Sequence, residues 1–191
     1  MAKKLQKKKP PGIVYHYTTG KCLQGIVEAG QINPSSPGVH VPCEAVWFTR
    51  RCIWEPSANK LVGSNFTGKF ERYFLSMEET EKAYGGLYRI SVAGNFALLS
   101  WLDFKHKSGM SNKSATAFEK ESIALGSSPM DYYSSFVAVP REKWLQVETW
   151  TGSAWEEWDQ TARFADLKES VKSADLKMVI RQHIESGGKP I

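Results

Sequence analysis

Between residues 12 and 49 the hydrophobic pattern changes period twice, and this restricts the folds open to the chain more than any other feature. Gly12-Ile13-Val14-Tyr15-His16-Tyr17 is dense in β-branched and aromatic residues after a Pro/Gly break, which predicts a strand. From Lys21 to Ala29 the apolar positions Leu23, Ile26 and Val27 fall at helical spacing, and Gly30 stands where a left-handed C-cap belongs. Residues 33 to 44 hold three prolines with serine and glycine and predict a loop, after which Ala45-Val46-Trp47-Phe48-Thr49 predicts a second, apolar strand. A lone histidine thus lies within a strand, one helix before a strand of bulky aromatics.

Further along, strands are predicted over 68–74, 86–92, 136–139 and 144–150, with a short helical turn near Ser57. Helices are predicted over 114–125, with Ala117, Phe118, Ile123 and Leu125 inward, and over 165–184, with Leu167, Val171, Ala174 and Met178 on one stripe. The sum is a single α+β domain with a mostly antiparallel or mixed sheet and flanking helices over residues 13–191. At 191 residues and 41% apolar content, one sizeable core is expected.

The formal charge of +5 is local. Lys3, Lys4, Lys7, Lys8 and Lys9 supply it, so that of 25 basic residues 20 remain for the body, matched by 20 acidic ones. Residues 1–12 are expected to form a flexible basic tail able to touch acidic surfaces, and a nucleic-acid factor working through that tail stays open. No apolar run nears the roughly 18 residues that cross a bilayer, and no signal-peptide core follows the lysines. Cys22, Cys43 and Cys52 form an odd set without a CxxC, which suits a reducing, cytoplasmic setting.

Phosphate-loop, dinucleotide-fingerprint, HExxH and GxSxG motifs are absent from the sequence. His16, His40, His106 and His183 have no metal-ligand spacing, so no metal is expected. Trp144, Trp150, Trp155 and Trp158 accompany Glu156, Glu157 and Asp159 rather than lysines, and are read as core and as cover for the late strands.

His16-x-Thr18, then Leu23-x-x-Ile26-x-x-x-Gly30-x-Ile32, then Trp47-Phe48-Thr49, then Ser57-Ala58-Asn59 resembles the first half of the ADP-ribosyltransferase fold, nearest the branch of poly(ADP-ribose) polymerases and diphtheria-type toxins. The resemblance spans residues 13 to 60. It implies NAD as substrate, transfer of ADP-ribose to a protein or nucleic-acid acceptor, or cleavage of NAD with release of nicotinamide. On this resemblance His16 would bond the ribose beside nicotinamide, Trp47 would stack on nicotinamide, and Tyr17, Thr18, Phe48, Thr49 and Ser57 would line the pocket. His16 as a satisfied buried histidine and Trp47 as ordinary core are the plain alternatives.

The second half departs from the family pattern. Active members carry a glutamate at the head of a late strand, whereas the matching run here is headed by Ser134-Ser135. Glu148, flanked by Trp144 and Trp150, is the substitute expected, with Glu142 as its alternative and Glu119 and Glu121 on a helix. A solvated or paired carboxylate is the plain alternative for Glu148, and the missing glutamate would instead favour a catalytically inactive member of the fold, serving as a protein- or nucleotide-binding module.

Overall fold

The computed structural model describes residues 12–36, 41–96, 98–160 and 163–191. The tail lysines and His40 lie outside them.

Strand β1 (Ile13–Thr19) runs into helix α1 (Gly20–Ala29), which ends at Gly30 with φ 66°, the left-handed cap expected there. Short β2 (Gln31–Ile32) and β3 (Val46–Thr49) follow, then a hairpin of β4 (Leu61–Ser64) and β5 (Glu71–Phe74). Helix α2 (Met77–Tyr84) leads to β6 (Leu87–Ala93), β7 (Leu99–Ser100) and helices α3 (Trp101–Lys107) and α4 (Asn112–Ala124). The chain then forms β8 (Tyr132–Ser135), β9 (Val139–Pro140), β10 (Trp144–Trp150) and β11 (Trp155–Glu157). It closes with α5 (Phe164–Ser173) and α6 (Leu176–Glu185).

Seven strands make one sheet in the order β11-β10-β6-β1-β3-β8-β7, and every pairing among the described residues is antiparallel. The fold class is α+β. Along the centre, Tyr17, Arg89 and Glu148 form one cross-strand row and His16, Ile90 and Val147 the next, so the two rows face opposite sides. The His16 side carries the main core, with Val14, Phe48, Ile90, Val92 and Val147 packed against Leu23 of α1 and Leu167 of α5. Each such fully buried aliphatic chain stabilises the fold by roughly 1.5–3 kcal/mol relative to exposure.

On the other side, Trp101 and Phe104 of α3 and Ala115 of α4 pack with Ala45 and Trp47. A third cluster joins the β4–β5 hairpin to α2 and α6 through Val62, Tyr73, Ala83, Val179 and Ile180.

Four expectations change. The strand expected over 136–139 begins earlier, at Tyr132, and stops at Ser135, whose hydroxyl bonds the carbonyl and N–H of Val137 and turns the chain outward. The helix expected over 165–184 is two helices, because Asp175 caps a new one through the Met178 N–H at 3.0 Å. Met178 is therefore exposed rather than on a buried stripe. In α4 the inward positions are Ala115, Phe118 and Ser122, while Ile123 faces solvent.

Candidate functional site

A cleft of about 610 Å³ opens against β1 and β3, beneath the β4–β5 hairpin and α4. It is lined by His16, Tyr17, Trp47, Phe48, Thr49 and Ser57, six of the eight residues singled out in the sequence. Thr18 and Glu148 lie outside the lining.

The ladder between β1 and β3 is short, with Tyr15 opposite Thr49. One residue along, the His16 side chain bridges the strands instead: its Nδ1 lies 2.9 Å from the Trp47 carbonyl oxygen, so Nδ1–H donates and Nε2 is left as the acceptor. Burial pushes the imidazole pKa down to about 4, against the pull of that carbonyl, and the Lys60 charge lowers it further. His16 is neutral at pH 7. Its ring meets Phe48 edge-on at 5.9 Å.

Trp47 is held inside an aromatic cluster, edge-on to Phe104 at 4.7 Å and stacked on Phe118 at 5.7 Å. Among the described residues its buried indole nitrogen has no hydrogen-bond partner. Tyr17 reaches the cleft from the other side of β1, with its hydroxyl donating to the Arg51 carbonyl at 2.9 Å. Burial raises the Tyr17 pKa, and Arg89 opposes that rise.

The most tightly organised group in the cleft is Glu55. It is 4% exposed and precedes a 3-10 turn at Pro56–Ala58. One carboxylate oxygen accepts from Thr49 Oγ1 at 3.0 Å, and the other from the Ser57 N–H at 3.3 Å, Ser57 Oγ at 3.1 Å and the Ser127 hydroxyl. The Tyr132 hydroxyl stands 3.5 Å away. Donors converging on a buried carboxylate fix its position. Thr49 and Ser57, expected as pocket lining, both line the cleft and hold Glu55.

In the sequence Glu55 falls only in the turn that leads to Ser57. Its signal was an acidic residue directly before proline, six positions after the β3 threonine, where local capping accounts for the same residue type.

Glu148 has a different setting. Both its oxygens bond the Arg89 guanidinium, each at 2.6 Å, while Arg89 also donates to the Cys52 carbonyl and lies 4.5 Å from the Tyr15 ring and 4.8 Å from the Trp155 ring. Glu142 is exposed on a short turn, Glu119 accepts from the Trp101 indole and Lys105, and Glu121 lines the cleft. Among the tryptophans, Trp158 is buried against Tyr88, and Trp155 stacks on Trp54 at 6.4 Å. No three His, Cys, Asp or Glu side chains come together to hold a metal ion among the described residues. No helix among them is long and apolar enough to cross a membrane.

No protein-family model, curated protein or solved structure matches the chain.

Proposed function

We propose that the cleft binds NAD, and that the protein is an ADP-ribosyltransferase-like enzyme that breaks the bond between nicotinamide and ribose and passes ADP-ribose to an acceptor or to water. The observation that carries this reading is the meeting, on one cleft, of neutral His16, the aromatic β3 strand and the buried Glu55 carboxylate. The cleft volume suits such a ligand, since small-molecule sites span roughly 300–1,000 Å³. Lys60 and Arg72 line the same cleft and supply positive charge for a diphosphate.

In the reaction, the carbon–nitrogen bond breaks with its electron pair going to the nicotinamide ring nitrogen, and positive charge grows on the ribose. A fixed anion beside that charge lowers the barrier. We assign this task to Glu55, because Glu55 lines the cleft, with Arg51 as its ion-pair partner at 3.9 Å, whereas Glu148 lies outside the lining and pairs with Arg89. Water or the acceptor then forms the new bond to the ribose carbon and releases a proton. His16, with Nδ1–H committed to Trp47, offers Nε2 to a ribose hydroxyl.

The absence of a carboxylate on β8, Tyr132–Ser135, favours a second reading, a catalytically inactive member of the same fold that only binds nucleotide or protein. Mass spectrometry of nicotinamide released from NAD separates the two. Release by the wild type, reduced about a hundredfold in Glu55→Gln, is the expected result. Binding without release selects the inactive module. A cytoplasmic setting belongs to the same proposal and is compatible with the three unpaired cysteines.

A further inference from the structure

The β4–β5 hairpin turns two unlike faces outward and inward. Val62 and Tyr73 point into the cluster with Leu75 and Val179. By register, Leu61, Gly63, Arg72 and Phe74 share the opposite face, and Phe70 continues it at the same two-residue step. Phe70 is 71% exposed.

Gly63 makes room for it. A Cβ at Gly63 would stand 2.6 Å from Phe70 Cζ, so the far end of the ring sits over bare backbone. Phe70, Arg72 and Phe74 recur about 7 Å apart along the strand, aromatic, cation, aromatic. Lys60, Leu61, Arg72 and Phe74 also line the cleft, so the face is continuous with it. The hairpin's acidic residue, Glu71, is turned away: Tyr73 and Thr67 donate to it at 2.7 and 2.6 Å, and these bonds lower its pKa.

Rings on either side of a cation, with Lys60 in the adjoining cleft, match the alternation of base and phosphate in a single strand. A protein partner would use the rings but has no general need for a cation placed between them. We propose that the outer face of the β4–β5 hairpin seats a single-stranded nucleic acid, one nucleotide of which enters the cleft as ADP-ribose acceptor. This rests on the reading of the cleft as an NAD site. In the transfer, a nucleotide nitrogen or oxygen bonds the ribose carbon, the bond to nicotinamide breaks with its electron pair on the ring nitrogen, and any acceptor proton passes to solvent.

Fluorescence polarisation with a labelled 12-nucleotide oligo(dT) or oligo(U), on the full chain at low and moderate salt, tests the hairpin. Wild-type protein is expected to bind, with affinity falling as salt rises, and Phe70→Ala to weaken binding at least about fivefold. Gly63→Val, which displaces the ring, should weaken it in the same direction. Thermal melts of each variant verify folding. Absence of oligonucleotide binding, or binding indifferent to Phe70→Ala in a folded variant, overturns the proposal, the latter showing that other basic residues such as the tail carry it. NAD calorimetry on the wild type is read separately. Phe70-dependent oligonucleotide binding without NAD binding would sink the cleft reading and the acceptor role but keep the strand-binding face. ADP-ribose appearing on added protein and not on the oligonucleotide would overturn the acceptor assignment.

Discussion

His16 is held neutral by its surroundings, and this makes a titration prediction at the scale of a single residue. With a folded pKa of about 4 against an ordinary value of 6.5, the unfolded chain binds the proton first as pH falls. The stability that follows is complete above pH 6.5 and is lost as pH drops toward 4, amounting to roughly 2–3 kcal/mol at pH 4.5. Scanning calorimetry of His16→Gln should therefore show a smaller difference in Tm between pH 7 and pH 4.5 than the wild type shows. An identical difference in the two proteins would mean that the imidazole is solvated. Residue identity alone did not reveal this, because burial of His16 depends on Phe48 and on the short ladder between β1 and β3. The same holds for Glu148. A carboxylate between tryptophans reads alike as catalyst or ion-pair partner until the register sets it opposite Arg89.

Elements with one strong local signal were legible. Strand β1, α1 with its Gly30 cap, β3, β6 and β10 lie within a residue or two of their expected bounds, because their periods are clear and their ends are marked. The elements that escaped are polar or short. Helix α2 has few apolar residues, and its evidence is a capping box, with Ser76 and Glu79 bonding each other's backbone N–H. Helix α3 is likewise capped by Ser100, whose hydroxyl accepts from the Asp103 N–H. The break between α5 and α6 was hidden by a continuous helical pattern that Asp175 interrupts. Asp175→Ala should cost about 1 kcal/mol in urea unfolding, since the cap on the Met178 N–H is lost. An unchanged transition midpoint would show that packing of Val179 and Ile180, rather than the cap, sets the start of α6.

For the whole molecule, the sequence already implied one α+β domain with a largely antiparallel sheet, since strands and helices alternate without a repeat or a linker. Sheet order was not legible, because hydrophobic period says which face is buried but not which strands are neighbours. That is also why only half of the site could be read. The His16 side lies on consecutive elements, whereas Glu55 gains its meaning from Ser127 and Tyr132, more than seventy residues away. The β4–β5 hairpin, which closes the cleft with Lys60 and Arg72, depends in turn on α6 for its core. The central claim is that this cleft is an NAD site. Isothermal titration of the folded protein with NAD tests it most directly: saturable binding that is lost or at least tenfold weaker in His16→Ala is the predicted result, and no heat of binding with folded wild-type protein would contradict the account.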